Sequence, residues 1–545
     1  MNFRFHHILL ILIILLAVFF RFYKIAAVPP GLYPDEAING NQAYEAWQNK
    51  SWKIFYPENN GREGLFINIQ SLSLAVFGPE PWALRIVSAV LGSLTVLGVY
   101  FLTKELFVNQ VISLASAFFL AVSFWHINFS RVGFRAITVP FLTAWLFYFL
   151  FKIIDKKKDR ENNLKDSGSI KSSKNGLPQW PFYALYSILA GLFFGLGFHT
   201  YIAFRVVPGL VGLIFLYDLI KWKHAQSEPS REGSTLGRSP NIIGRDEKGS
   251  SLAGESWAYF RLKLIKWLIF FLTAFIIVLP IGFYFFNHPQ DFLGRTGQVS
   301  IFADPSPIKA LLKNIGKTLA MFNFVGDWNW RHNFSGQPQL YWPAGILFLI
   351  GLIYSIKKTI KKEVQNSDSR FVNFFLLSWF FIMLLPTILS NEGLPHALRS
   401  IGAIPPVFIF AGLGFSLVYQ QFQTAAEKIS LKPKIIAVLW LIFFSSLAYQ
   451  TFDKYFIQWA NNLNTKGAFA QNYVQQAKYL NSLPINFKKY VIVEASGVLV
   501  DRIPMPAQTI MFITKQKPGQ NITYLLPENR DKIIRDEKTI IMNIK

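Results

Sequence analysis

Residues 29–47 read PPGLYPDEAINGNQAYEAW and follow closely on an uninterrupted apolar run, Ile8–Phe20. Two adjacent carboxylates, Asp35 and Glu36, therefore stand near a membrane surface. Pro34 suits the first position of a helix. Asp35 and Glu36 then fall in its first turn, where the helix dipole favours carboxylates. Helix-start chemistry alone would account for the pair. However, Asp35, Asn39 and Gln42 also share one helical face, a polar stripe headed by a carboxylate. A base aimed at a hydroxyl would have that setting.

The chain around this stretch is apolar and basic. Of 545 residues, 52% are hydrophobic, 16% are charged and 54 are Phe. Soluble domains carry about 25% charged residues, so this is the makeup of a polytopic membrane protein. With no cysteine, disulfides, thiolate zinc sites and cysteine nucleophiles are excluded. The net charge of +24 reads as basic inner loops rather than a nucleic-acid surface.

Eleven spans are expected, at about 5–23, 83–102, 109–127, 134–153, 181–198, 203–220, 264–286, 342–356, 371–390, 400–419 and 435–451. The apolar core of the first is only 13 residues, the length of a signal-peptide core. Aromatic residues and Arg21 stand where a cleavage site would be, which favours an uncleaved anchor. With the N-terminus cytoplasmic, the inner segments hold 27 Lys and Arg and the outer loops 14, although the outer loops are longer in sum. The positive-inside rule therefore selects that orientation in the cell membrane. Inner loops 155–178 and 225–256 are polar, rich in Ser and Gly, and read as disordered spacers.

The chain divides into a membrane part, 1–451, and a tail, 452–545, on the extracytoplasmic side. In the tail VQQAKYLNSLP has helical spacing, while YVIVEA, QTIMFITK, ITYLLP and KTIIMNI read as short strands. The expected fold class is mainly α, a polytopic helical bundle with a small α/β module at its end.

This topology gathers the unusual residues on the outer face. The first outer loop, 24–82, carries Asp35, Glu36, Arg62 and Glu63. WHINFSRVGFR adds His126, Arg131 and Arg135, and GFHTYIAFRVVP adds His199, Tyr201 and Arg205. GDWNWRHNFSG holds Asp327, Arg331 and His332, and NEGLPHALRSIGAIPP holds Glu392, His396 and Arg399. An Arg at a span end can simply snorkel to headgroups, and a lone His such as His126 is commonly structural.

GLYPDEA after the first span resembles the Asp-Glu motif of the GT-C membrane glycosyltransferases, of the protein O-mannosyltransferase and aminoarabinose transferase type (family 39). NGREGLFINIQSLSLAVFGPEPWALRIVSAVLGSLTV is similar to that family's continuation into the second span, and GFHTYIAFRVVP and PHALRSIGAIPP match patterns of its bacterial members. The resemblance covers about residues 5–420. It implies transfer of a sugar from a polyprenyl-phosphate carrier to an acceptor on the outer face, with Asp35 as general base. The acceptor is left open among protein, glycolipid and polysaccharide. Many relatives carry another acid in the second outer loop, where this chain reads FSRVGFRAITVP. That leaves a two-carboxylate or metal scheme without its second acid unless Glu63 substitutes.

The expected chemistry follows. A phosphate leaving group needs positive charge, and the guanidinium fork matches phosphate oxygens. Arg399, beside His396, is the first candidate and Arg205 the second. Glu36 has a positioning role beside the catalytic Asp35. Arg62, Glu63, His199, Tyr201, Asp327, Arg331 and His332 complete the candidate substrate-binding set. No cofactor is required; a divalent metal is possible, with Glu63, His199 and His332 able to converge on one. Glu36 points about 100° around the helix from Asp35, so a single-base, inverting displacement is favoured over a retaining one. A lipid-linked-sugar polymerase or oligosaccharyltransferase on a related scaffold is the alternative enzyme. A transporter is the alternative non-enzyme, disfavoured because span interiors are nearly uncharged.

Overall fold

The computed structural model describes residues 3–154, 180–227, 252–298, 300–303, 305–361 and 367–545. Ten helices among them are long and apolar enough to cross a membrane: Phe5–Phe22, Pro81–Phe107, Arg135–Ile153, Trp180–Gly197, Ile202–Lys221, Phe260–Asn287, Trp342–Ile360, Ser367–Ile388, Ile401–Lys428 and Pro433–Trp459. They match ten of the eleven expected spans. The other, expected at 109–127, is broken into helices Gln110–Ala121 and Phe124–Phe129. The break has a local cause. Ser123 leaves helical geometry, and its hydroxyl caps the second piece by accepting from the His126 amide at 3.3 Å.

Carbonyls freed by such a break must find donors in an apolar surround. Arg21, fully buried, supplies them: its guanidinium donates to Ala121 O at 3.2 Å and Leu120 O at 3.4 Å, and contacts His126 Nδ1 at 2.6 Å. Thr451 Oγ1 takes Val122 O at 2.7 Å. Arg21 and His126 are thus structural, and the first span is tied to the core along one narrow face, through Ile13, Ala17, Phe20 and Arg21. Elsewhere helices approach closely at glycine. A Cβ on Gly351 or Gly414 would run into the facing helix backbone, so Trp342–Ile360 and Ile404–Lys428 can touch there.

Most of the inner loops expected to be disordered, 155–178 and 225–256, lies outside the described residues. The ends of the second are helical instead, within Val207–Ser227 and Leu252–Asn287. Extending a span's helix past the membrane costs little once it is nucleated.

Residues 24–82, expected as the first outer loop, build the platform of the site. Helix α1 (Phe3–Phe22) leads to α2 (Pro34–Gln48), then to a hairpin of β1 (Phe55–Tyr56) and β2 (Arg62–Glu63), then to α3 (Leu65–Phe77) and α4 (Pro81–Phe107). The hairpin turn places Asn59, Asn60 and Gly61 in succession at positive φ, which Asn and Gly tolerate best. Gly31, in the quoted stretch, has φ +76°, and a Cβ there would strike the Phe469 carbonyl and Gln471 backbone. No other residue suits that position.

The last span does not stop at residue 451. It continues to Phe452 and through a π-helical stretch, Asp453–Trp459, which packs Tyr455, Phe456 and Trp459 into the core. Beyond it, the strand Lys488–Val493 lies between parallel strands Ile522–Leu525 and Thr539–Ile544, flanked by helices Gln471–Ser482 and Ala507–Thr514. QTIMFITK, expected as a strand, is therefore a helix. Pro506 starts it, and all its residues but Met511 are buried. A short apolar run buried on all sides has no periodicity to reveal its type.

This tail shares one hydrophobic core with residues 24–82 and the start of α4: Leu32, Ala37, Ala43, Ile67 and Leu84 pack with Leu480, Val491, Ile510 and Phe512. Polar contacts seal the joint. Asn41 Nδ2 donates to Gln508 Oε1 at 2.8 Å and Thr509 Oγ1 to Leu32 O at 2.9 Å.

Candidate active site

Asp35 sits half-buried in the first turn of α2, on the wall of a polar cavity of about 260 Å³. Tyr33, Asn39, Asn59, Asn60, Arg62, Arg135, Tyr201, Asn329, Arg331, His332 and His396 also line it. Among the described residues, Asp35 is the one carboxylate that lines it; three arginines share the wall with it. Asn59 Nδ2 donates to Asp35 Oδ1 at 2.7 Å, which orients the carboxylate. Burial and the adjacent Asp35 charge push the Tyr33 hydroxyl up to about 12, so it stays protonated beside the carboxylate. The Arg331 guanidinium lies 4.0 Å over the Tyr33 ring.

The polar stripe on α2 has a use that helical spacing alone does not disclose. Arg62 donates to Asn39 Oδ1 and to Gln42 Oε1, each at 2.6 Å, and Gln42 Nε2 donates to Glu58 at 2.9 Å. The stripe docks the hairpin, and the hairpin brings Asn59 and Arg62 to Asp35. Burial and the like charge of Arg135 pull Arg62 down to about 9, opposed by Asp35 and Glu58; it remains a cation at neutral pH.

Glu36 faces the other way. It is buried, paired with Arg85 at 3.0 Å, and accepts from the Gly133 amide at 2.8 Å. It locks α2 to α4 and to the second outer loop and does not line the cavity. Glu63 pairs with Arg135 at 3.2 Å and lies 3.8 Å from Arg205. His199 contacts Ile277 O at 2.7 Å, and burial pulls its pKa below the usual imidazole value. Arg205 donates to Phe292 O at 2.8 Å and lies over the Phe292 ring.

Arg399, the first candidate for the phosphate, is also turned away from the cavity. It contacts the Ser390 hydroxyl, donates to Glu392 O at 3.0 Å and lies 3.6 Å from the Glu392 carboxylate. It braces the fifth outer loop. Glu63, His199 and His332 are not brought together as an ion site; among the described residues, the ligand-type side chains that are grouped are Asp327, His332 and His396.

Arg135 is the residue that sequence reasoning undervalued. An arginine at a span end reads equally as a snorkelling anchor, and only the fold places it in the cavity. Arg131, four residues earlier, is wholly structural, donating to Phe20 O, Tyr23 O and Val28 O at 2.7–2.9 Å.

Comparison with known proteins agrees with this architecture. ArnT from Cupriavidus metallidurans in the apo state superposes with a TM-score of 0.52 at 11% identity, covering 94% of this chain and 85% of that one. The chain has the GT-C glycosyltransferase fold. The same ArnT bound to undecaprenyl phosphate aligns at 12% identity and TM-score 0.48, with the same coverage of both chains. The Archaeoglobus fulgidus oligosaccharyltransferase tethered with an acceptor peptide aligns at 14% identity and TM-score 0.46, covering 94% of this chain and 63% of that one. A model of the family described as dolichyl-phosphate-mannose-protein mannosyltransferase matches residues 65–163, from α3 through the spans that flank the cavity. No curated protein matches by sequence.

Proposed function

We propose that the chain is an integral-membrane glycosyltransferase that moves a sugar from a polyprenyl-phosphate donor to an acceptor hydroxyl on the extracytoplasmic face, with inversion. The observation that carries this reading is a single carboxylate, Asp35, facing Arg62, Arg135 and Arg331 across one polar cavity on a GT-C fold. Asp35 takes the proton of the acceptor hydroxyl as its oxygen bonds to the anomeric carbon. The bond from that carbon to the phosphate oxygen breaks, and the phosphate leaves with the electron pair. The three arginines stabilise the charge it gains. With one carboxylate on the wall, the two-carboxylate arrangement of a retaining double displacement has no second member. Tyr33 and Asn59 hold the base in orientation, and Glu36 holds the helix that carries it.

The test is purified protein in detergent given a polyprenyl-phosphate sugar and candidate acceptors. Release of free polyprenyl phosphate together with a glycosylated acceptor supports the reading. Donor left intact against protein, glycolipid and polysaccharide acceptors alike opposes it.

A further inference from the structure

At the cavity wall, two loops far apart in sequence bring two imidazoles together with a carboxylate behind them. Asp327 and His332 belong to the loop before Trp342–Ile360, and His396 to the loop before Ile401–Lys428. We propose that Asp327, His332 and His396 bind a divalent cation of the zinc type, whose open coordination position faces the cavity and accepts a phosphate oxygen. The cation site stands on its own geometry; the phosphate role rests on the transferase reading above.

The geometry suits three ligands of one ion. Asp327 Oδ2 lies 3.0 Å from His332 Nδ1 and 3.9 Å from His396 Nδ1. The three ligand atoms all fall within 4.8 Å of one another. A tetrahedral zinc with bonds of about 2.0–2.1 Å holds its ligand atoms about 3.3 Å apart, so side-chain rotations that move these atoms by about 1 Å close the site.

Asp327 is already fixed in place. Oδ1 accepts from the Asn329 amide and Oδ2 from the Ala397 amide, both at 2.8 Å. Such outer hydrogen bonds orient a ligating carboxylate. The bond that His396 Nδ1 accepts from the Arg399 amide is long, 3.4 Å, and a cation would take its place. A simple Asp–His hydrogen bond explains His332. It does not explain why His396 tilts 31° over His332 with ring centroids 4.9 Å apart, at 3.9 Å from the same carboxylate oxygen.

The donor set decides the ion. Two imidazoles and one carboxylate suit zinc and its transition-metal neighbours rather than magnesium or calcium, which take oxygen ligands. Three protein ligands leave the fourth position open, the pattern of an ion that also meets a substrate. His332 and His396 line the cavity that Asp35 lines, and Asp327 lies behind them. An oxygen anion in the cavity is therefore the group placed to complete the sphere.

Cobalt reports such a site without any turnover. Full-length protein in detergent is treated with chelator and then titrated with Co²⁺, and the visible absorption of the bound ion is followed. The expected result is a saturable spectrum that Zn²⁺ displaces and that shifts on addition of inorganic phosphate. His332→Ala and His396→Ala should each weaken metal uptake by about tenfold or more. The thermal transition of each variant in detergent confirms that it is folded. His396→Gln, closer in volume, is the second variant if His396→Ala does not fold. No cobalt spectrum in the parent protein, or one unchanged by the histidine substitutions, overturns the site. A spectrum indifferent to phosphate overturns the open position. Metal uptake that needs both histidines in a protein with no transfer activity would instead sink the transferase reading and leave the cation site standing.

Discussion

The Glu36–Arg85 pair makes a prediction that separates positioning from chemistry. Both side chains are almost fully buried, with Arg85 Nε 3.0 Å from Oε1 and Nη2 3.2 Å from Oε2. The remaining Arg85 donor reaches Pro29 O at 2.8 Å, and Nη2 also reaches Gly31 O at 2.7 Å. Removing one partner of such a pair strands a buried charge and costs about 3–5 kcal/mol. That cost falls on the docking of α2 against α4. The chain has no cysteine, so Ala43→Cys on the buried face of α2 supplies a single reporter of local opening. With opening in fast equilibrium, Glu36→Ala should speed maleimide labelling of that cysteine by about 150- to 5,000-fold, the range that follows from the stranded charge. Glu36→Gln should do less, because its amide oxygen still accepts from Arg85. Glu36→Gln combined with Arg85→Met should label more slowly than Arg85→Met alone, since no carboxylate is then left unpaired. Labelling of Glu36→Ala within about threefold of the parent, or a double variant whose effect is the plain sum of the singles, would refute the reasoning.

Three further outcomes are expected. Deleting the tail from Leu463 should abolish transfer although no tail residue lines the Asp35 cavity, because it uncovers the apolar face of α2; Phe512→Ala alone should cost about 3–5 kcal/mol, measured as thermal stability in detergent. Arg135→Lys should raise the donor concentration needed for half-maximal rate, while Arg399→Lys should leave that concentration unchanged, since Arg399 braces residues 390–392; donor titrations at matched protein amount decide between them. An impermeant maleimide added to intact cells should label Glu392→Cys and spare Glu427→Cys, both positions being exposed; the reverse pattern would invert the orientation.

The spans are legible in the sequence because a bilayer demands long apolar stretches, and ten appear where hydropathy places them. The broken one is not, because Ser123 caps locally while Arg21, a hundred residues earlier, satisfies the freed carbonyls. Asp35 is legible because its proline, its helix start and its motif are contiguous. Its companions are less so. Asn59 and Arg62 reach it only through a hairpin, and Arg135 and Arg331 arrive from other loops. Which way a candidate side chain faces is not legible either. Arg399 has the residue type that a phosphate needs but packs on residues 390–392, and whether such a side chain faces a cavity or a structural partner is decided by packing. The helix Ala507–Thr514 was hidden for a related reason: burial on all sides erases the periodicity that distinguishes helix from strand.

The central claim is that Asp35 is the base in a sugar transfer at this cavity, and the most direct measurement is the single-turnover rate of Asp35→Asn. Asparagine keeps the volume and can still hydrogen-bond with Asn59, so insertion and thermal stability should match the parent. The rate of polyprenyl phosphate release at saturating donor and acceptor should fall by about 10²–10⁴-fold, with donor affinity little changed. An Asp35→Asn protein that transfers at the parent rate would contradict the account.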